Sequence, residues 1–314
     1  MRPRLLLVLL GIATACSSPS GPTGGGGGDS DPGPGDGGDT GGGGDPGPGD
    51  GGGTGRTAVV IGVGDIGQCG RAEVAQVARL VSTLEGVLLL AGDIAYFQGS
   101  AANFRDCFNP SWGQFRERWH AVPGNHEYES PGAAPYFAYF GEAVGPAGVG
   151  YYSVAIGEWL ILMLNSNIPA TNGSPQWEFA RAELLAQRTP CTMAVWHHPV
   201  FSSGPAGSNG AMREMWALLQ SSRAEVILNG HDHLYERFAR QTSDGRPDPA
   251  DGIRQFTVGT GGAELYNFVR STANSEERIM RFGALRLTLR PAQVGWEFIA
   301  LDGSIADRGL DTCR

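Results

Sequence analysis

The stretch Leu88-Leu89-Leu90-Ala91-Gly92-Asp93-Ile94-Ala95-Tyr96 constrains this chain more than any other. Its apolar part shows no polar alternation, which marks a strand covered on both faces. The run stops abruptly at Gly-Asp, so a carboxylate is delivered to the strand's C-terminal rim, where open α/β sheets bind their ligands. Gly92 lets the backbone turn there and approach whatever Asp93 holds. Taken alone, such an Asp reads equally well as a cap for the next helix.

Recurrence weakens the capping explanation. Val59 to Gly64 ends in Asp65, and Trp119 to Gly124 ends in Asn125-His126-Glu127. Met193 to Trp196 ends in His197-His198, and Val226 to Gly230 ends in His231-Asp232-His233. Five strands therefore place Asp, Asn or His at the same kind of position. Oxygen and imidazole donors converging in this way suit borderline divalent or trivalent metals. The donors are too many for one four-coordinate ion, and a two-metal site fits them better.

The first 55 of the 314 residues are not material for a fold. Arg2 and Arg4, the apolar run Leu5 to Ile12 and the small residues before Cys16 read as a secretory signal, residues 1–16, too short to span a membrane. The box resembles a bacterial lipoprotein cleavage site, so a lipid on Cys16 would anchor the mature protein to a membrane. The alternative is an ordinary signal with an incidental Cys. Residues 17–55 carry no apolar side chain that could be buried and form a disordered Gly/Asp/Pro-rich tether. Its root-mean-square span is on the order of 35 Å. Residues 56–314 remain as one catalytic domain, long but acceptable for an α/β enzyme. No basic stripe appears in it, which argues against nucleic-acid binding.

Setting Cys16 aside leaves Cys69, Cys107, Cys191 and Cys313. An even count in an exported chain favours disulfides over metal-binding thiols, since no Cys-x-x-Cys spacing occurs. Of three possible pairings, Cys69–Cys107 is preferred because each lies in a loop just after a Gly-Asp strand end. Cys191–Cys313 would then staple the C-terminus beside a central strand.

In order, strands are expected over 57–63, 87–91, 120–123, 151–156, 159–164, 192–196, 224–228, 253–258, 283–289 and 294–301. Helices are expected over 71–84, 110–118, 136–140, 175–187 and 209–221. Strand–helix alternation followed by more strands predicts an α/β fold of two packed mixed sheets with helices outside.

Gly64-Asp65-Ile66-Gly67, Gly92-Asp93-x-x-Tyr96, Gly124-Asn125-His126-Glu127, His197-x-Pro199 and Gly230-His231-x-His233 stand in the order found in the metallophosphoesterase superfamily. Tyr96 and Tyr235-Glu236-Arg237 make the chain resemble the purple acid phosphatase branch, over essentially all of residues 56–314. The resemblance implies a four-layer αββα sandwich and a binuclear hydrolase of phosphomonoesters, acting through metal-bound hydroxide. It implies that Asp65, Tyr96 and His233 bind one metal, Fe3+ if Tyr96 is a phenolate. Asn125, His197 and His231 would bind a second, Fe2+, Zn2+ or Mn2+, with Asp93 bridging the two. His126 would contact the substrate phosphate, as would Asn125, or protonate the leaving group.

Other residues carry competing readings. Tyr96 and His126 could be structural, and His120 reads as an ordinary strand residue. His198 is either a catalytic or supporting group or a strand-end histidine. Glu127 reads as support for the ligands, and Asp232 as support or as solvated. Asn165-Ser166-Asn167 ends another strand and is a candidate for the rim. One departure stands out: the loop Phe201 to Asn209 lacks the extra histidines of plant purple acid phosphatases, leaving His126, His198 or water as the acid. A phosphodiesterase acting on nucleotides or lipid head groups shares the same site chemistry. A non-catalytic ligand-binding lipoprotein is the alternative outside enzymes.

Overall fold

In the computed structural model, residues 56–314 are described; the expectations for the signal, Cys16 and the tether lie outside them. Among the described residues each of these apolar runs forms a strand, and thirteen strands make two sheets. In the first, β1 (Ala58–Val63), β2 (Val87–Ala91) and β3 (Trp119–Val122) run parallel in that order. The second is built on β4 (Tyr152–Ile156), β5 (Trp159–Met163), β6 (Cys191–Val195), β7 (Val226–Asn229), β8 (Tyr235–Phe238), β9 (Arg254–Val258) and β10 (Ser275–Ile279). Its order is β10-β8-β9-β7-β6-β5-β4, with β5, β6, β7 and β9 mutually parallel. The antiparallel strands β11 (Gly283–Arg290), β12 (Gln293–Ala300) and β13 (Ile305–Thr312) extend the first sheet from β1.

Alternate side chains of each central strand serve two cores. Val60, Leu89, Leu228, Phe256, Leu285 and Phe298 fill the space between the sheets. Ile61, Leu88 and Leu90 point the other way, onto Val74, Val77, Ala78 and Val81 of the helix Ala72–Ser82. Ala194 and Ile227 meet Leu184 of the helix Pro175–Ala186 and Met215, Trp216 and Leu219 of the helix Arg213–Ser221. Helix, sheet, sheet and helix are thus stacked as four layers, and the absence of polar alternation in the runs is explained by burial on both faces.

Differences from the expected elements are local. Residues 104–115 form a π-turn (Phe104–Phe108), one α-turn (Asn109–Trp112) and a 3-10 turn (Gly113–Phe115) rather than one helix over 110–118. The helix expected from 209 opens as a 3-10 turn, Gly210–Met212. The strands β8, β10 and β13 were not expected. The disulfides Cys69–Cys107 and Cys191–Cys313 are formed as preferred. Among the described residues no helix is long and apolar enough to cross a membrane.

Candidate metal centre

The parallel registers Val63↔Leu90, Ala91↔Val122 and Val195↔Leu228 bring the ends of β1, β2, β3, β6 and β7 to one edge of the two sheets. Three residues just past those ends, Asp65 (φ 60°), Asp93 (φ 50°) and His231 (φ 74°), adopt the left-handed conformation, a cost that side-chain-bearing residues bear chiefly at functional sites. Gly92 has φ 87°, and a Cβ there would stand 2.5 Å from Nδ1 of His197. At Gly124 a Cβ would collide with the Asp93 carboxylate. Both glycines are therefore needed for the close approach of ligand-bearing loops.

Asp65, Tyr96 and His233 form one half of the centre. Oδ2 of Asp65 accepts from the His231 amide at 2.8 Å, leaving Oδ1 to face the Tyr96 hydroxyl at 2.8 Å and Nε2 of His233 at 3.3 Å. Nδ1 of His233 donates to the Glu264 carbonyl at 2.6 Å, which turns Nε2 toward the centre, 2.9 Å from the Tyr96 hydroxyl. That hydroxyl also lies 3.2 Å from Oδ2 of Asp93. One phenolic proton thus faces two carboxylates. Burial, and then Asp65 and Asp93, hold the Tyr96 phenol well above its ordinary range, so a phenolate requires a cation beside it.

Asn125, His197 and His231 form the other half. Nδ1 of His197 is 2.8 Å from the Ala91 carbonyl, which turns Nε2 toward Oδ2 of Asp93, Oδ1 of Asn125 and Nδ1 of His231, each at 3.2 Å. Burial opposes charge on His197, yet Asp93 lifts its imidazole to about 9. Burial, reinforced by His197, lowers His231 to about 4 and keeps it neutral. Burial alone would raise the Asp93 carboxyl; His197, and then His126, outweigh it and hold the group far below its usual range. The donor set is two carboxylates, an amide oxygen, a phenol and three imidazoles drawn together, with positive charge in demand on both sides of Asp93. It fits two cations.

The surrounding groups orient these donors. Oδ1 of Asp93 accepts from the His126 amide at 2.9 Å, and the His126 ring stands with Nε2 3.9 Å from Oδ2, its Nδ1 held by the Phe97 carbonyl. Glu127 is buried and accepts from Ile94, Ala95 and Gly124 amides at 2.9, 3.1 and 2.8 Å, clamping the β2 and β3 loops together. Burial, and then Asp93, lift it to about 7. Asp232 is buried, not solvated: it accepts from the Ser202 hydroxyl and the Ala206 and Gly207 amides.

His198 packs against His231 with ring centroids 4.4 Å apart, and its Nδ1 is 2.8 Å from the Ser166 hydroxyl. Burial, then His197 and His231, press it down to about 2, so it is a neutral imidazole. His197, His198 and His231 each offer a ring nitrogen within 4.8 Å of the others.

All seven expected ligand positions are brought together, with His126 and His198 beside them. Of the trio after β5, only Ser166 reaches the centre. Asn165 bonds Tyr128 and the Val149 carbonyl, and Asn167 bonds the Pro123 carbonyl, so both brace loops instead. His120 stays on its strand, lowered by burial. Two contributors were missed: Glu264, whose carbonyl fixes His233, and Tyr266, whose ring stacks on His233 at 4.0 Å. A signal existed, since β9 also ends in glycines, Gly259-Thr260-Gly261-Gly262, and its loop leads to both.

A model of the calcineurin-like phosphoesterase family matches residues 58–235, more than half of the chain. Purple acid phosphatase 18 of Arabidopsis thaliana is 28% identical over 222 residues, 63% of this chain and 48% of its own. A phosphoenolpyruvate phosphatase of Allium cepa is 29% identical over 240 residues, 64% of this chain and 48% of its own. The chain thus spans about half the length of these curated relatives. In fold it is similar to a purple acid phosphatase from yellow lupin (Lupinus luteus) seeds, with a TM-score of 0.73 at 17% identity over 82% of this chain and 54% of that one.

Proposed function

Since this chain belongs to the calcineurin-like phosphoesterase family, we propose that it hydrolyses phosphomonoesters at a centre of two metal ions, as the resemblance to purple acid phosphatases implies. Asp65, Tyr96 and His233 hold one ion, Fe3+, and Asn125, His197 and His231 hold the other, Fe2+, Zn2+ or Mn2+. The observation that carries this reading is Oδ2 of Asp93, which faces His197 on one side and the Tyr96 hydroxyl on the other, each at 3.2 Å. When bound, the ions supply Lewis acidity toward phosphoryl oxygens and an ionised water near neutral pH.

The protein's own groups do the rest. Asn125 and His126 bind the phosphate. Nε2 of His126, aimed by the Phe97 carbonyl, protonates the departing ester oxygen. The neutral His198, steadied by Ser166, borders the second half of the centre and donates a hydrogen bond to the phosphate. Export, with a lipid on Cys16 and residues 17–55 as a tether, completes the reading; two disulfides support an oxidising compartment.

The test is a paired assay with p-nitrophenyl phosphate and its bis ester, with metal analysis on the same sample. The expected result is monoester cleavage at least about tenfold faster, with two bound ions. Cleavage of the diester alone would replace the substrate class by phosphodiesters. Neither activity and no bound metal, after reconstitution, would favour a non-catalytic binding lipoprotein.

A further inference from the structure

The two halves of the centre have different borders. On the side of Asn125, His197 and His231 stand His198 and Ser166, both polar. On the side of Asp65, Tyr96 and His233 stand two aromatic rings, Tyr266 stacked on His233 and Phe97 next to Tyr96. Phe97 is 53% exposed, although the residue before it is buried. A single exposed phenyl on a surface needs no explanation. This one is held in place: its ring meets Tyr96 edge-on at 5.7 Å and His126 at 6.0 Å, and its own carbonyl takes the Nδ1 hydrogen bond of His126. The residue that aims the proposed proton donor is therefore also an exposed phenylalanine beside it.

We propose that Phe97 is the wall of a subsite for the leaving group, and that the preferred substrates are aryl phosphomonoesters. The assignment rests on the hydrolase reading above. His126 serves the ester oxygen, so whatever is bonded to that oxygen lies alongside Phe97. A flat ring attached directly to the oxygen reaches the phenyl face at stacking distance, with ring centroids about 4.5–7 Å apart. A short alkyl or polyol group finds no such partner. Because neighbouring rings fix Phe97, little order is lost when a second ring settles on it.

The test uses the full chain with its metals bound and two inert phosphonates, phenylphosphonate and methylphosphonate, titrated by calorimetry. The wild type should bind the phenyl compound about 3- to 10-fold more tightly, the range expected of one stacked aromatic pair. In Phe97→Ala the phenyl-over-methyl ratio should fall to about one. Phe97→Leu, which keeps the bulk and loses the π face, should recover little of it, and Phe97→Trp should restore it. Equal binding of the two compounds by the wild type, or a ratio that survives in both Phe97→Ala and Phe97→Leu, would overturn the proposal. Turnover of phenyl phosphate by the wild type separates this from the hydrolase reading: turnover without any phenyl preference removes the subsite alone, whereas phenyl preference without turnover keeps the subsite and removes the hydrolase.

Discussion

Nδ1 of His197, on the loop after β6, lies 2.8 Å from the carbonyl oxygen of Ala91, the last residue of β2 in the other sheet. This bond crosses the two sheets just before Asp93 and fixes which nitrogen of His197 faces the centre. His197→Ala removes the only one of the three proposed imidazole ligands that approaches Asp93 directly. The bound-metal count should drop from two to about one, with activity down on the order of a thousandfold. Metal analysis after gel filtration checks it, and two retained ions would contradict the assignment.

The Tyr96 hydroxyl sits among Asp65, Asp93 and His233 in a place where a phenolate is stable only against a strong cation. The metal-loaded protein should therefore be coloured. Tyr96→Phe should lose the visible band while keeping the far-ultraviolet dichroism of the fold. A colourless, iron-loaded wild type would rule out the ferric phenolate.

Glu127 closes three backbone N–H groups that would otherwise be buried without partners. Glu127→Ala should cost about 2–5 kcal/mol of stability, since each orphaned buried donor carries a desolvation penalty of about 1–3 kcal/mol that water entering the site recovers in part. Denaturant unfolding measures this, and an unchanged midpoint would show that the clamp is dispensable.

Asp307 predicts an acid-sensitive contact between β13 and β8. Burial would raise its carboxyl, but hydrogen bonds from Arg237 and Tyr235 outweigh burial and hold it below the usual carboxylate range. A group depressed on folding stabilises the protein above its unfolded value, about 3.9, and that contribution fades as pH falls through the folded value. Asp307→Asn should lower the melting temperature at pH 7 and flatten its decline below about pH 4. A parallel decline in both proteins would contradict this.

The sites legible from sequence were those at the ends of strands buried on both faces, because there the apolar run and its terminal Asp, Asn or His are contiguous. Of the strands that were missed, β10 and β13 lie at sheet edges with few buried side chains, and β8 is a short buried strand directly after the His231-Asp232-His233 turn. β10 reads Ser-Glu-Glu-Arg-Ile, and β13 alternates polar residues around Gly309, which is flat against the Trp296 ring. Asp232 was ambiguous because its partners, Ser202, Ala206 and Gly207, come from a distant loop. Tyr266 and Glu264 act on His233 from 31 to 33 residues away, through a stacked ring and a carbonyl whose local sign is the glycine-rich turn after β9.

The most direct measurement is the anomalous difference density of crystals grown with iron and zinc, collected at both absorption edges. Two peaks should appear about 3.5–4 Å apart with Asp93 between them, the iron peak beside Tyr96 and the second beside His197. A single peak, or peaks away from Asp93, would contradict a binuclear centre in this protein.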